Sequence, residues 1–321
     1  MLTFRHAATR VLFAALATLS GVAVSQPLQD YSERLDALWN FADPAQSEAR
    51  FRAEALRQAA GSREAAEATT QIARAQGLQQ KFDAADATLD GVSHSLDTQP
   101  ARVRVRYLLE RGRRDNSSGR TAKATRWFEQ ALTASQNDAL PGAAYYRVDA
   151  LHMLAIAAPP AQAIEWHRKA LDAANGATDA RTRGWRGSLL NNLGWTLHDR
   201  GDYAAALDCW REALVAREAM GNVDLVRIAR WTVARGLRSL GRLDEAESMQ
   251  RALASELASI GTPDGYVFEE LAEIALARGD RAAAQPWAAQ AVAILAKDKD
   301  LQASDTARLA RLADIAKPQP R

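Results

Sequence analysis

The chain has 321 residues, 47% hydrophobic and 25% charged, with 41 basic against 39 acidic side chains. Both surplus charges, Arg5 and Arg10, fall in the first 25 residues, so the rest is neutral and lacks the basic footprint that nucleic-acid binding needs. A single cysteine, Cys209, excludes an intramolecular disulfide, and beyond the N-terminus no apolar run is long enough for a membrane span.

Residues 1–25 read as a targeting segment. Arg5, His6 and Arg10 precede an apolar run of 14 residues, Val11–Val24, and Ala23-Val24-Ser25 offers cleavage between Ser25 and Gln26. An uncleaved anchor is the competing reading, but the run is short for a span and Pro27 ends it. Cleavage implies a periplasmic or secreted protein with no membrane insertion afterwards. With no cysteine at the site, a lipoprotein anchor is excluded.

Residues 26–63 are predicted as capping helices. The first covers 30–43 with Leu35, Leu38, Trp39 and Phe41 inward; the second opens at Asp43-Pro44 and closes near Ala60 before Gly61. From 64 to 296 the chain repeats. Ala85, Ala124, Ala163, Ala206, Ala246 and Ala284 form one column, with spacings of 39, 39, 43, 40 and 38 residues. Twelve residues upstream stand Ala73, Gly112, Leu151, Gly194, Ala234 and Ala272. Five residues before the alanine column, Gly119, Gly201, Gly241 and Gly279 suit the left-handed turn that ends a first helix. Asp202 and Asp280 follow as N-caps of second helices. The third unit has Pro159-Pro160 instead, which opens a second helix without a closing glycine. In the fifth, Ala252 comes one residue early and leaves that register open. Residues 297–321 hold a closing helix over 301–316, with Leu309, Leu312 and Ile315 on one face, and a tail.

The stretch LNNLGWTLHDRGDYAAALDCWREALVARE, residues 190–218, resembles a tetratricopeptide repeat through Leu193, Gly194, Ala206, Trp210 and Ala213. The long period is similar to that of kinesin-light-chain-like repeats. The resemblance covers about residues 64–296 and implies an all-α, right-handed α-solenoid of about six TPR-like hairpins with capping helices at both ends, each hairpin burying its apolar stripe against its neighbours. In that family the concave wall is lined by first-helix positions 2, 5, 9, 12 and 13, counting the second-helix alanine as position 20. This implies a partner-binding groove of Arg74, Arg106, Arg113, Asn116, His152, Asn191, Trp195, His198, Trp231, Arg235 and Arg238. The two-Asn, two-Lys clamp that some members use for a terminal carboxylate is not matched by Asn191 and Asn192.

Other features have plainer readings. Trp127, Trp166, Trp287 and, one place later, Trp210 are expected as packing between units, and Cys209 as a small buried hydrophobe. His6, His94, His152, His167 and His198 form no metal motif, Ser93-His94-Ser95 is no catalytic elbow, and Asn116-Ser117-Ser118 matches a glycosylation acceptor only formally. Phosphate-binding glycine motifs are absent from the sequence. The expectation is a non-enzymatic, exported scaffold without cofactor or metal, binding a peptide or partner protein; the alternative is a structural or oligomer-forming element of a cell-envelope assembly. The arginines and histidines predict a locally positive groove and an acidic, partly aromatic ligand that stacks between Trp195 and Trp231 or lies across both. The competing reading buries those tryptophans between adjacent first helices.

Overall fold

The computed structural model describes residues 30–137 and 139–318. The targeting segment, its cleavage site at Ser25 and Gln26, and the end of the tail lie outside the described residues. Every regular element described is a helix. The chain divides into two compact units, with the boundary between Leu189 and Leu190.

The first unit contains α1 (Tyr31–Asp36), α2 (Pro44–Arg57), α3 (Arg63–Leu78), α4 (Phe82–Ser93), α5 (Ala101–Ser117), α6 (Thr121–Ala134), α7 (Ala143–Ala157), α8 (Pro160–Asn175) and α9 (Ala180–Arg183). Helix α10 (Arg186–Asp199) carries the boundary. The second unit continues with α11 (Tyr203–Met220), α12 (Val223–Ser239), α13 (Leu243–Ser259), α14 (Gly265–Ala277), α15 (Arg281–Leu295), α16 (Lys299–Ser304) and α17 (Thr306–Ile315). The repeat hairpins are α3–α4, α5–α6 and α7–α8 in the first unit and α10–α11, α12–α13 and α14–α15 in the second.

The columns read from the sequence are the crossing points of these hairpins. All six column alanines, Ala85 through Ala284, are buried. Four residues beyond each lies a second buried column: Leu89, Phe128, His167, Trp210, Gln250 and Ala288. Its Phe128 and Trp210 are matched by glycine across the hairpin. Where the second helix brings Phe128 or Trp210, the first brings glycine: a Cβ on Gly112 would lie 2.2 Å from Phe128, and one on Gly194 would lie 2.3 Å from the Trp210 ring. Where the column holds Leu89 or Ala288, the facing residues are Ala73 and Ala272. Close-packed interiors tolerate no spare methyl group at such contacts. Seven residues beyond the alanine column, Leu253 takes the place that Ala213 and Ala291 hold in neighbouring hairpins, so the fifth unit keeps its register.

The corners follow one rule. Gly119, Gly201, Gly241 and Gly279 all have φ between 72° and 84°. After each, the next amide bonds back to a carbonyl five residues earlier, as in Arg120 to Asp115 at 2.8 Å and Asp202 to Leu197 at 3.0 Å. In the first repeat Gln80 adopts the same conformation without being glycine, at φ 61°. The side chains of Asp202 and Asp280 accept from Ala205 and Ala283 amides at 3.4 and 2.8 Å, as N-caps should. Pro160 opens α8 as expected, and α7 ends at Ala157 with Ala158 extended.

At the N-terminal end the predicted helix over 30–43 is shorter: α1 stops at Asp36 and the chain turns through residues 37–42. Three aromatic rings make this turn compact. Trp39 stacks on Phe41 at 4.7 Å and meets Phe51 edge-on at 4.8 Å, while Asp43 caps α2 through the Gln46 amide. Helix α2 ends at Arg57, earlier than the predicted Ala60. The last helix, α17, packs on α15 through Leu312 and Ile315.

Candidate functional site

The candidate wall is the inner face of the first helices, so each unit contributes its own stretch. In the first unit α3, α5 and α7 bring Arg74, Arg106, Arg113, Asn116 and His152. Arg113 is buried and donates to Glu110 at 2.7 Å and to Asp149. Arg74 approaches Glu110 at 4.0 Å and lies 5.3 Å over the Trp39 ring. Burial acts to raise the Asp149 carboxyl, but Arg113 and Arg74 outweigh it and hold the group below the usual carboxylate range. Arg106 donates to the Tyr146 hydroxyl at 2.9 Å and to Ser32, with Asp36 and Glu67 at 3.7 and 3.6 Å. His152 is buried against Trp185, at 5.4 Å between ring centroids, and against His167 at 6.4 Å. Burial pushes these imidazoles down to about 4 and about 3, so both are neutral. Asn116 is half-buried.

The second unit differs. Helix α10 brings Asn191, Trp195 and His198; α12 brings Trp231, Arg235 and Arg238. Trp195 meets the buried Trp210 edge-on at 4.9 Å and faces Trp231 at 6.1 Å between centroids. The Trp231 indole donates to the Tyr266 carbonyl at 3.1 Å. Both Trp195 and Trp231 stay half-buried, as do His198, Arg235 and Arg238. The fully buried Glu270 accepts from Arg235 at 3.1 Å and from both Nε and Nη2 of Arg238. Burial works to raise its carboxyl, but the two guanidiniums keep it below the ordinary range. The His198 Nε2 lies 2.8 Å from the Ser239 hydroxyl, and burial, then Arg235 and Arg238, push the imidazole down to about 4.

These positions correct the predicted wall in three ways. First, Arg106, Arg113, His152 and Asn191 are buried. Position 5 is also buried at Thr70, Leu109 and Val148. Second, the wall is not simply positive, since carboxylates the motif did not single out meet its arginines. Third, a ring cannot insert between Trp195 and Trp231: two stacking separations need roughly 7 Å, and the tilted rings are already in contact. Both rings keep part of their surface exposed to solvent.

The missed acids have a pattern. Two residues before the small column of the first helices stand Gln71, Glu110, Asp149, Asn192, Thr232 and Glu270, all buried and polar. Wherever position 9 is arginine, this position in the next repeat is acidic: Arg74 with Glu110, Arg113 with Asp149, Arg235 with Glu270. Where it is His152 or Trp195, the next repeat has Asn192 or Thr232. That complementarity was present in the aligned sequence.

Two other expectations fare differently. Trp127, Trp166 and Trp287 are half-buried on second helices, and only Trp210 is a core residue. Cys209 is likewise half-buried. Among the described residues no group of three or more His, Cys, Asp or Glu could hold a metal ion, and no helix is long and apolar enough to cross a membrane. An open cleft of about 580 Å³ in the second unit lies away from the wall, among Leu214, Arg230, Met249 and Leu253.

Residues 187–220, the α10–α11 hairpin, match the family model described as a tetratricopeptide repeat. No curated protein sequence matches the chain. Among solved structures, a STAND protein with a tetratricopeptide repeat sensor from Pyrococcus horikoshii is similar with a TM-score of 0.62 at 12% identity, over 85% of this chain and 42% of that one. The kinesin light chain repeats of Podosopora anserina align with a TM-score of 0.51 at 19% identity, over 61% and 97%. NprR, solved in complex with its cognate peptide NprX, aligns with a TM-score of 0.52 at 14% identity, over 91% and 84%. At these identities the likeness is one of fold. The chain is built from consecutive tetratricopeptide-like helical hairpins of the long variety.

Proposed function

We propose that this repeat chain is an exported, non-enzymatic scaffold that binds a peptide or protein segment on the inner wall of its second unit. The observation that carries the reading is the pairing of half-exposed Trp195 and Trp231 with Arg235 and Arg238 on adjacent first helices. Tryptophan and arginine are the residue types most enriched at binding hot spots. Two guanidiniums share one carboxylate, Glu270, so the wall favours a ligand that brings an acid beside an apolar or aromatic group. NprR, whose fold this chain shares, was solved with its cognate peptide bound, which supports a peptide as ligand class. Export rests on residues 1–25 and places the scaffold in a periplasm or outside the cell.

Selection of displayed random peptides on the full chain tests the site. Selected sequences are expected to be enriched in acidic and aromatic residues. Their affinity is expected to fall with salt, because exposed charge pairs are screened over about 8–10 Å at moderate ionic strength. Trp231→Ala and Arg238→Ala should each weaken binding by on the order of 2 kcal/mol. Peptides that bind these variants as tightly as wild type would move the site elsewhere. Intact mass of protein recovered from the cell envelope tests export: a mature chain should begin at or near Gln26, and retention of residues 1–25 would favour an anchor.

A further inference from the structure

The inner wall of the first unit is already covered by part of the chain itself. Helix α1 has only six residues, far below the length at which an isolated helix is stable in water. It is held by groups from four other helices. Asp30 pairs with Arg102 of α5, and Ser32 shares a 3.0 Å hydrogen bond with Tyr146 of α7 and accepts from Arg106 of α5. Asp36 accepts from Arg181 of α9 at 2.9 Å, and Arg181 in turn lies 3.5 Å from the Tyr145 ring centroid. On its other side, Tyr31 and Leu35 enter an apolar floor with Ala68 and Ile72 of α3.

We propose that this seat is a second docking surface, one that takes an acidic amphipathic helix, and that α1 is its resident occupant. Charge complementarity identifies the ligand. Arg102, Arg106 and Arg181 face three carboxylates, Asp30, Asp36 and Glu67, and two of those belong to the α1 segment. Without it, Arg102 and Arg106 would share Glu67 alone and Arg181 would lose its carboxylate, beside an exposed apolar floor. A buried or half-buried cation without a partner is costly, so the seat stays filled by α1 or by a segment with the same pattern. That pattern is a carboxylate, an apolar residue next to it, a hydroxyl, a second apolar residue one turn later and a second carboxylate, as in Asp30-Tyr31-Ser32 and Leu35-Asp36. The surface is distinct from the wall of the second unit and does not depend on that wall binding anything.

The test uses the full chain carrying Asp30→Lys and Asp36→Lys, and a fluorescein-labelled peptide of residues 30–41 as probe. In the variant, like charges should expel α1. Its amides are expected to exchange at least about tenfold faster while those of α3 are unchanged, and the peptide should bind at least about tenfold more tightly than to wild type. Adding Arg181→Glu should abolish that gain. Unchanged protection of α1 in the variant would overturn the proposal, as would release of α1 without peptide binding. Loss of protection in α3 along with α1 would also overturn it, because α1 would then be a part of the fold and not an occupant.

Discussion

The two units are made of the same hairpin, with the same small-residue columns and glycine corners, yet their inner walls have opposite fates. In the first, Arg106 and Arg113 are buried in ion pairs and the short helix α1 lies over the wall. In the second, Trp195, Trp231, Arg235 and Arg238 remain half-exposed. The backbone pattern is the same, and the difference arises at a few first-helix positions. A repeat therefore fixes where a side chain sits and leaves open whether it serves packing or recognition.

The largest expected effect lies at the position two residues before the small column. Asp149→Ala should destabilise the protein by about 3–5 kcal/mol, because the buried Arg113 would keep only Glu110, a carboxylate that Arg74 also approaches. The equivalent change in the second unit, Thr232→Ala, should cost only about 1 kcal/mol, since that hydroxyl bonds within its own helix to Ala229 at 2.9 Å. Thermal or urea unfolding of both variants checks the contrast, and equal losses would break it.

Acid should act on the first unit through its two buried imidazoles. His152 and His167 have folded values of about 4 and about 3, below the unfolded value of 6.5. Their contribution is thus complete above pH 6.5 and is lost as pH falls toward 4 and 3, on the order of 3 kcal/mol each. His167→Leu, which copies Leu89 at the same repeat position, should flatten the urea midpoint between pH 7 and 4. An equally steep acid loss in that variant would assign the effect to other groups.

In the second unit the corresponding weak point is a cation. Arg217 is 2% exposed, bonds only weakly to the Leu225 carbonyl at 3.3 Å, and burial pulls its guanidinium down to about 10. Leu257 and Leu295 hold the equivalent place in the next two repeats. Arg217→Leu should therefore raise stability by about 1–4 kcal/mol, and a lower melting temperature would show that the charge is compensated. The last contrast concerns size matching: Gly194→Ala should cost about 1–3 kcal/mol by pushing a methyl group into Trp210. The same change at the solvent-facing Gly91 should leave the melting temperature unchanged or slightly higher.

The fold was legible because its determinants are periodic: Ala85 through Ala284 recur, and Gly201 and its counterparts sit at fixed offsets from them. The wall was legible only in part. Position 9 marked Arg74, Arg113 and Arg235, but one sequence position does not reveal what faces it from the next repeat. Glu110, Asp149 and Glu270 emerge only when two repeats are read together. Helix α1 was harder still, since Ser32 reaches Tyr146 across 114 residues of sequence and follows no period.

The pairing of an arginine with an acid in the following repeat also governs how such a chain can be recombined. Arg74, Glu110 with Arg113, and Asp149 are the halves carried by the first three hairpins, and Arg235 and Glu270 those of the last two, so repeats are not freely interchangeable modules. Excising α5–α6 would set Arg74 against Asp149 and keep a complementary junction. Inserting a copy of α10–α11 after α4 would set Arg74 against Asn192 and leave a guanidinium at the junction without a carboxylate. Gain or loss of repeats is thereby channelled toward those exchanges that restore the match.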